Sequence, residues 1–403
     1  MYPNFTRSGQ PDNPKETAPL GISAKSSSTA ARVDPQTGEI VPSGKVYDPV
    51  AARLQRFALQ SAARAILPKS RTAKCLRLRQ AHRPHVEVWR TNKTGTARYR
   101  NLQTCASVWA CPVCATRISE TRSDELRNCI EQHEAAAGQV LLLTLTNPHT
   151  ARDDLGDMLK AQSRAMSLFN GHRVAQLLWA EIGCIGTVRA WEVTHGRQRA
   201  KNNGWHPHFH ILIFCRAGLD LDDLRPRIYA IWANCCRLAG LPIPSERHGI
   251  TLEDGSRAAE YVSKGWGLDR EMTKGHSKQT RPDDQGTKGE TPFDLLRSFF
   301  MDRDKQAAAL FREFALTFHG RRQLVYSKGL KAHFDLVEKT DSDILDDVEE
   351  SALLLGSISL DQWRVICRLD VRGDVLELAR HGWAPVQRFL DSLPPNPPGI
   401  NDS

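Results

Sequence analysis

The stretch HPHFHILIFC at residues 206–215 is the part of the sequence that decides the fold. It begins with histidines at every second position and continues into an apolar run. Side chains alternate between the two faces of a β-strand, so His206, His208 and His210 share one face while Phe209 and Ile211 point to the other. The pattern predicts a strand with one face buried in a core and three imidazoles on its opposite face.

A second strand-like stretch, GTVRAWEVTH at residues 186–195, precedes the histidines across a polar, glycine-containing connection. The two stretches predict an antiparallel hairpin. Pairing would bring Glu192 beside His208 and His210, and two imidazoles with a carboxylate suit Mg²⁺ or Mn²⁺ in phosphate chemistry and would also accept Zn²⁺. Satisfied surface histidines are the other interpretation. Two further histidines remain open as the third ligand, His195 and His206.

The elements around this hairpin indicate an α+β fold, with a central antiparallel sheet flanked by helices. QVLLLTLT at residues 139–146 is typical of a buried strand, and helices are expected over 118–137, 153–180 and 220–239. A short strand near 249–252 and a helix over 256–265 follow. Thr291 and Pro292 predict the start of a helix that runs to residue 317, and residues 341–391 read as acidic and mostly helical.

Four cysteines before this unit have the spacing of a metal site. Cys111-Pro-Val-Cys114 gives two thiolates a tight bidentate geometry, and Cys105 and Cys75 lie upstream. Four thiolates make a tetrahedral structural Zn²⁺ site. A redox function of the CPVC motif is the alternative, but two further cysteines are near and no redox-type strand precedes the motif.

Charge is unevenly distributed along the 403 residues, which carry a formal net charge of +9. Residues 51–130 hold 16 basic and 4 acidic side chains, whereas residues 331–403 hold 7 and 14. A basic front indicates contact with a polyanion such as nucleic acid, although an ordinary solvated surface can carry the same charges. No apolar run approaches the ~18–20 residues of a membrane span, and the N-terminus lacks an apolar signal segment, so we expect a cytoplasmic protein that does not enter a membrane.

The predicted helix over residues 256–265, SRAAEYVSKG, carries a tyrosine between two basic residues. Arg257, Tyr261 and Lys264 are spaced four and three residues apart, so they share one helix face. A phenolate with two cations beside it suits attack on a phosphodiester, because the cations hold the phosphate. By itself the pattern is also typical of a buried tyrosine, and the preceding histidine strand favours the nucleophile.

Three stretches in this order resemble a known family. LLLTLTN (141–147), HPHFHILIF (206–214) and AAEYVSK (258–264) resemble motifs 1, 2 and 3 of the HUH endonucleases, and more narrowly the replication initiator (Rep) proteins of small bacterial rolling-circle plasmids. CASVWACPVCATRI (105–118) and TFHGRRQLVYSKGLK (317–331) are similar to the same family. The resemblance spans about Cys75 to Lys331.

The resemblance implies an HUH-type, site- and strand-specific DNA nickase and religase that works through a 5′-phosphotyrosine and leaves a 3′-OH primer. It implies metal ligation by His208 and His210, with Glu192 as the candidate third ligand. It further implies that Tyr261 is the nucleophile and Lys264 the motif 3 lysine. The implied partners are plasmid origin DNA, double- and single-stranded, with a host helicase and DNA polymerase.

One position departs from the family pattern. Some relatives carry a glutamate one turn before the tyrosine to activate water at termination, and this chain has Arg257 there, which we expect to contact a DNA phosphate. How a replication round ends is therefore open.

Four segments follow from these patterns. We expect a disordered tail over 1–45, a basic Cys-rich zinc-binding module over 46–137, an HUH nickase domain over 138–335 with a polar loop at 269–290, and an acidic helical C-terminal region over 336–403. Two other functions remain open: a transposase of the same class, which would typically carry a second motif 3 tyrosine, and a non-catalytic zinc-dependent DNA-binding regulator.

Overall fold

A computed structural model describes residues 49–92, 94–199, 201–255, 289–346 and 352–395, with two short strands nearer the N-terminus. The chain divides into two units, Met1–Val46 and Tyr47–Ser403. In the first unit, Arg32–Val33 (β1) pairs antiparallel with Ile40–Val41 (β2). The rest of the tail predicted over 1–45, and the loop predicted over 269–290 up to residue 288, lie outside the described residues.

The second unit contains eight described strands, in two sheets, and fourteen described helices. The strands are Val86–Thr91 (β3), Ala97–Arg100 (β4), Gly138–Leu145 (β5), Gly186–His195 (β6), Trp205–Arg216 (β7), Ile250–Asp254 (β8), Leu324–Tyr326 (β9) and Ala352–Ile358 (β10). The helices are Pro49–Ile66 (α1), Arg71–Lys74 (α2), Pro112–Ala135 (α3), Leu155–Gly171 (α4), Arg173–Glu181 (α5), Leu221–Ala239 (α6), Glu246–Gly249 (α7), Pro292–Asp302 (α8), Lys305–Thr317 (α9), Leu330–His333 (α10), Asp341–Asp346 (α11), Leu360–Leu369 (α12), Arg372–Ala379 (α13) and Trp383–Asp391 (α14).

The larger sheet has five strands in the order β8-β5-β7-β6-β9, and every neighbouring pair is antiparallel. The hairpin of β6 and β7 lies at its centre, as predicted, with Glu192 directly opposite His208. The mixed class of antiparallel sheets and helices is thereby confirmed.

The two faces of β7 pack differently. Phe209, Ile211 and Ile213 point into the largest core, which includes residues of α1, α4, α6, α8 and α9. On the opposite face, Leu212 and Phe214 pack against the second half of α3. This apolar layer ends at Leu212, and towards the N-terminus of the strand the same face carries His210, His208 and His206, of which His208 is buried.

Two predicted helices have different bounds. The helix expected from residue 118 begins at Pro112, where proline costs no hydrogen bond because the first turn has no intrahelical acceptor for its N–H groups. The helix expected over 292–317 does begin at Pro292, with a capping box between Thr291 and Asp294, but it ends at Arg303, whose φ of 57° is left-handed. A second helix, capped by an aspartate, follows this break.

The C-terminal region, predicted to be acidic and mostly helical, contains helices α11 to α14 and one strand that the sequence did not predict. β10 lies within the segment that was expected to be helical and pairs antiparallel with β3, so that β10, β3 and β4 form a three-stranded sheet. Helices α12 to α14 cover one face of this sheet, and Trp363 and Ile366 share a core with Val86 and Val88. Two strands alone are marginally stable, whereas a third strand and a helical layer stabilise them. The C-terminal region and the β3–β4 hairpin therefore form one packed body.

No described helix combines the length and the apolar character that crossing a membrane requires.

Candidate functional site

Three side chains of the larger sheet converge on one point. The Glu192 Oε2 atom on β6 lies 2.7 Å from His210 Nε2 and 3.4 Å from His208 Nε2. The two Nε2 atoms of β7 are 3.1 Å apart. The structure therefore brings together the three residues that the sequence suggests as ligands.

Oxygen atoms behind the two imidazoles fix their orientation. His210 Nδ1 lies 2.9 Å from the Thr144 hydroxyl on β5, and His208 Nδ1 lies 3.3 Å from the main-chain oxygen of His206. When each Nδ1 donates its proton to this oxygen, both Nε2 lone pairs point towards Glu192. Metal-binding histidines are held in this manner in proteins.

The size of the triangle fits a small divalent cation. Neighbouring ligands of an octahedral cation with bonds of about 2.1 Å lie about 3.0 Å apart, and tetrahedral ligands at the same bond length lie about 3.4 Å apart. The three separations of 2.7, 3.1 and 3.4 Å centre on the octahedral value. Two nitrogens and one carboxylate oxygen leave further positions open for phosphate and water.

The electrostatics of the cluster favour a cation. Burial raises the pKa of the Glu192 carboxyl, but hydrogen bonds from His208 and His210 outweigh burial and hold this pKa well below its usual range. The carboxylate therefore keeps its negative charge at neutral pH. Without a cation the two Nε2 atoms donate their protons to Glu192, and a bound cation would take the place of these protons, with Nδ1–H then donating to Thr144 and to the His206 oxygen.

The other two histidines considered as ligands lie elsewhere. His206 Nδ1 is 3.3 Å from His149 Nδ1, and burial together with the neighbouring His208 lowers the pKa of His206 well below its ordinary value. His195 lies on the opposite face of the sheet, edge-on to Trp205, and burial lowers its pKa to about 4. Of the alternatives, only Glu192 completes the triangle.

The four cysteines form a second cluster, and all four are buried. The sulfur of Cys75 lies 3.4 Å from that of Cys114 and 3.8 Å from that of Cys111, and the Cys105 and Cys114 sulfurs are 3.7 Å apart. Thiolates bound to Zn²⁺ at about 2.3 Å occupy tetrahedron corners about 3.8 Å apart, whereas a disulfide needs about 2.05 Å. The cluster could therefore bind zinc.

The pKa values of these thiols are shifted in different directions. Hydrogen bonds from the other thiols lower the pKa of Cys105 far below its usual range. Burial raises the pKa of Cys111, and hydrogen bonding with Cys105 raises the pKa of Cys114. Zn²⁺ would displace the protons of the thiols when it binds.

A relay of hydrogen bonds connects this cluster to the C-terminal region. Gln60 Nε2 donates to Cys111 Sγ over 3.3 Å, and Gln60 Oε1 accepts from Arg372 Nη1 over 2.7 Å. Arg372 is fully buried and also donates to Ser61 and Asp370. The positive charge of Arg372, which reaches Cys111 through Gln60, offsets part of the negative charge of the thiolates.

Cys75 and Cys105 lie at the base of the β3–β4 hairpin. The main-chain N–H of Leu76 donates to the Gln103 oxygen and that of Gln103 to the Leu78 oxygen, both over 2.8 Å. This short ladder continues towards the hairpin, so Cys75 and Cys105 lie beside each other at the two ends of the hairpin segment.

The proposed nucleophile and its basic neighbours, Arg257, Tyr261 and Lys264, lie outside the described residues. The described positions on either side are fixed: Gly255 N donates to the Val140 oxygen over 2.7 Å, and Glu290 exchanges two main-chain hydrogen bonds with His195. Gly255 follows the edge strand β8, whereas Glu290 lies beside β6.

Three functional side chains were not identified from the sequence: Thr144, Gln60 and Arg372. Thr144 lies within motif 1 and faces His210 across the β5–β7 ladder, so the motif itself is a signal for it. Gln60 and Arg372 have no such signal, because their roles depend on contacts between segments more than 300 residues apart.

Comparison with known proteins supports the resemblance. A family model described as "Replication protein" matches residues 96–219. A "Protein rep" of Streptomyces lividans is 27% identical over 221 residues, covering 42% of this chain and 48% of its own length. A "Protein rep" of Lentilactobacillus hilgardii is 31% identical, with 36% and 45% covered. A "Neomycin resistance protein" of Streptomyces cyanogenus is 28% identical, with 31% and 33% covered.

The chain thus spans less than half the length of each of these relatives. No solved structure matches it. The predicted resemblance to plasmid replication (Rep) proteins is confirmed, and residues 96–219 are the part of this chain that matches the replication-protein family model.

Proposed function

We propose that this protein initiates plasmid replication by nicking one strand of origin DNA and later religating it. The observation that carries the proposal is the triangle of Glu192, His208 and His210. Its donor set suits Mg²⁺ or Mn²⁺, and the matched replication proteins support initiation as the setting.

A bound Mg²⁺ or Mn²⁺ would supply positive charge that polarises the scissile phosphate. The chain's own contribution is to hold the ligands in place. Thr144 fixes the ring of His210 and the His206 oxygen fixes that of His208, so the ligand atoms keep their directions without rearrangement.

Tyr261 is the proposed nucleophile. Its phenol oxygen attacks the scissile phosphorus, so that a bond between tyrosine and the 5′ phosphate forms and the bond from phosphorus to the 3′ oxygen breaks. The phenol loses a proton in this exchange and the 3′ oxygen gains one. The free 3′-OH primes a host DNA polymerase, and the phosphotyrosine conserves the phosphodiester energy for religation.

Chain connectivity supports this role for Tyr261. It lies six residues beyond Gly255, which follows β8, an edge strand of the sheet that carries the triangle. Arg257 and Lys264, on the same predicted helix face as Tyr261, would hold the phosphate.

The zinc-binding module over 46–137 supplies the contact with origin DNA in this proposal. Its basic side chains attract the phosphate backbone, and Zn²⁺ on the four cysteines would fix the hairpin between Cys75 and Cys105. The nickase domain over 138–335 then cuts the exposed single strand, and a host helicase extends the opening. We place these steps in the bacterial cytoplasm.

The test is the covalent adduct. Wild-type protein with Mn²⁺ and single-stranded DNA from the origin of its own replicon should give a denaturation-resistant species that carries the 3′-side fragment. Tyr261→Phe keeps the ring but lacks the attacking oxygen, so it should fold and bind metal and yet form no adduct.

Tyr229→Phe is the matched control, because the Tyr229 hydroxyl bonds the Pro244 oxygen and should take no part in cleavage. An adduct mapped to Tyr229 or Tyr326, or one formed equally by Tyr261→Phe, would remove Tyr261 from its role. Origin binding by wild-type protein without any adduct would favour the non-catalytic regulator.

A further inference from the structure

An open groove of about 340 Å³ lies on the solvent face of the three-stranded sheet, between this sheet, the first turns of α3 and the end of α11. Its floor consists of β3 and β4 side chains that point away from the core. Trp89 lies opposite Arg98 in the ladder, and Arg100 lies two residues further along the same face.

The described lining of the groove is basic. Four arginines line it, and Asp346 is the one carboxylate among its described lining residues. The arginines are Arg83, Arg98, Arg100 and Arg117. Arg117 donates to the Leu345 oxygen and so belongs to the wall, whereas within the described part of the chain Arg83 and Arg98 form no ion pair. Unpaired guanidinium groups that converge on one concave surface attract an anion.

An aromatic ring is held rigidly among these charges. The Trp89 indole nitrogen donates to Glu87 Oε2 over 2.8 Å, and the Arg100 guanidinium lies 4.8 Å from the centre of the indole. Trp89 is half-buried and its side chain lines the groove. A positive groove with an exposed aromatic ring is the combination that binds unpaired nucleotides, because the phosphates meet cations while a base stacks on the ring.

We propose that this groove binds single-stranded DNA, with Arg83 and Arg98 on the phosphates and a base on Trp89. The proposal rests on the function given above and adds a place where the displaced strand is held. Duplex DNA is less suited, since a stacked base pair does not offer its face to an indole.

The hairpin position gives the groove a structural link to the cysteines. The strands that carry Trp89 and Arg98 lie between Cys75 and Cys105 in the chain, and the ladder at their base begins next to both. β10 pairs with the other edge of β3, so the platform is supported from both sides.

The experiment measures the affinity of the full chain for a labelled oligothymidylate of about 12 nucleotides by fluorescence anisotropy, over a series of salt concentrations and without added divalent metal. The double variant Arg83→Gln/Arg98→Gln should weaken binding and reduce the slope of log affinity against log salt by about 1.4, since each lost phosphate contact contributes about 0.7. Trp89→Ala should weaken binding about 5- to 150-fold.

Arg173→Gln/Arg312→Gln removes the same charge from exposed positions on α5 and α9 and should leave both affinity and slope near the wild-type values. Thermal unfolding and zinc content of each variant separate loss of the groove from loss of the fold. Equal effects of the two double variants, or an unchanged affinity in Trp89→Ala, would overturn the proposal. So would a defect confined to a duplex of the same length.

The outcomes also separate this proposal from the proposed nickase. If wild-type protein forms the tyrosine adduct but the groove variants bind oligothymidylate normally, the proposed nickase is supported and the proposed groove is wrong. If binding of oligothymidylate depends on the groove residues but wild-type protein forms no adduct, the groove is supported and the proposed nickase is wrong.

Discussion

At the residue scale, the Thr144 hydroxyl has one partner that matters for the proposed chemistry, the Nδ1 atom of His210. Thr144→Val replaces this hydroxyl with a methyl group of similar shape. Residues that hydrogen-bond metal-binding histidines typically contribute 10- to 100-fold to metal affinity or activity. We therefore expect Thr144→Val to need about 10- to 100-fold more Mn²⁺ for the same rate of DNA nicking, or to nick DNA more slowly by about that factor. A titration of nicking rate against Mn²⁺ concentration measures it.

Thr146→Val is the matched control for this prediction. It removes a hydroxyl two residues away, which donates to the His248 oxygen and contacts no histidine ring of the triangle. Thr144→Ser should recover most of the wild-type response. A Thr144→Val protein that responds to Mn²⁺ like wild type would show that the His210 ring is held by other contacts.

The site residues differ in how far the sequence reveals them. His208 and His210 follow from alternation along one strand, and Glu192 follows once that strand is paired with its neighbour in a hairpin. Thr144 requires the register between β5 and β7, which are separated in the chain by α4, α5 and β6. Turn geometry does not fix such a long-range register, so the sequence alone left Thr144 without a role.

At the element scale, β10 is kept against the C-terminal helices by a glycine. An added Cβ at Gly356 would overlap the Trp383 indole, so no side chain fits unless this ring moves. Gly356→Ala should therefore lower the free energy of unfolding by about 1–3 kcal/mol, the usual cost of overpacking. Thermal unfolding measures the loss, and hydrogen exchange at β10 and α14 should show where it occurs.

Gly171→Ala provides the comparison, because a Cβ at the end of α4 meets no atom within 4 Å. We expect its effect to stay within about 0.5 kcal/mol. If Gly356→Ala were equally neutral, Trp383 would have to be free to move, and the packing of α14 on β10 would be looser than its contacts indicate.

Periodicity predicted the elements that pack locally and failed where a distant segment decides. β6 has the predicted bounds, 186–195, because alternating polar and apolar residues mark a strand with one face in the core. β10, with the sequence ALLLGSI, has no clear alternation, and it becomes a strand because β3 offers an unpaired edge about 260 residues earlier in the chain. The described residues around it are mostly helical, as the sequence predicts, and tertiary pairing overrides the helical expectation only at this segment.

At the scale of the whole molecule, the two ends of the second unit close on one another. Arg372 from the C-terminal region is buried against Gln60 of α1, and Gln60 in turn contacts Cys111. The basic front and the acidic rear of the sequence are therefore not separate bodies. Removal of the C-terminal region would expose the apolar face of the hairpin and remove a partner of the cysteine cluster.

The two clusters predict that the molecule needs two metals with separate roles. Four buried thiolates are soft ligands that select Zn²⁺, whereas two imidazoles and a carboxylate with open positions accept Mg²⁺ or Mn²⁺. The cysteines hold the base of the hairpin together when they bind zinc. A chelator that binds zinc tightly enough to compete with the four thiolates should therefore lower the melting temperature and the affinity for DNA. Added Zn²⁺ should restore both, and added Mn²⁺ should restore neither.

Removal of the hard cation should act differently. Dialysis against a chelator weak enough to leave the cysteine cluster loaded should abolish nicking, with little change in melting temperature, since the triangle lies on a sheet whose core is already formed by apolar packing. Metal analysis by mass spectrometry should then find about one zinc per chain. Recovery of the melting temperature by Mn²⁺ would contradict this division of roles, because the cysteine cluster would then not be selective for zinc. Absence of zinc from protein prepared without chelators would also contradict it, because the hairpin would then hold its shape by packing against α12 to α14 alone.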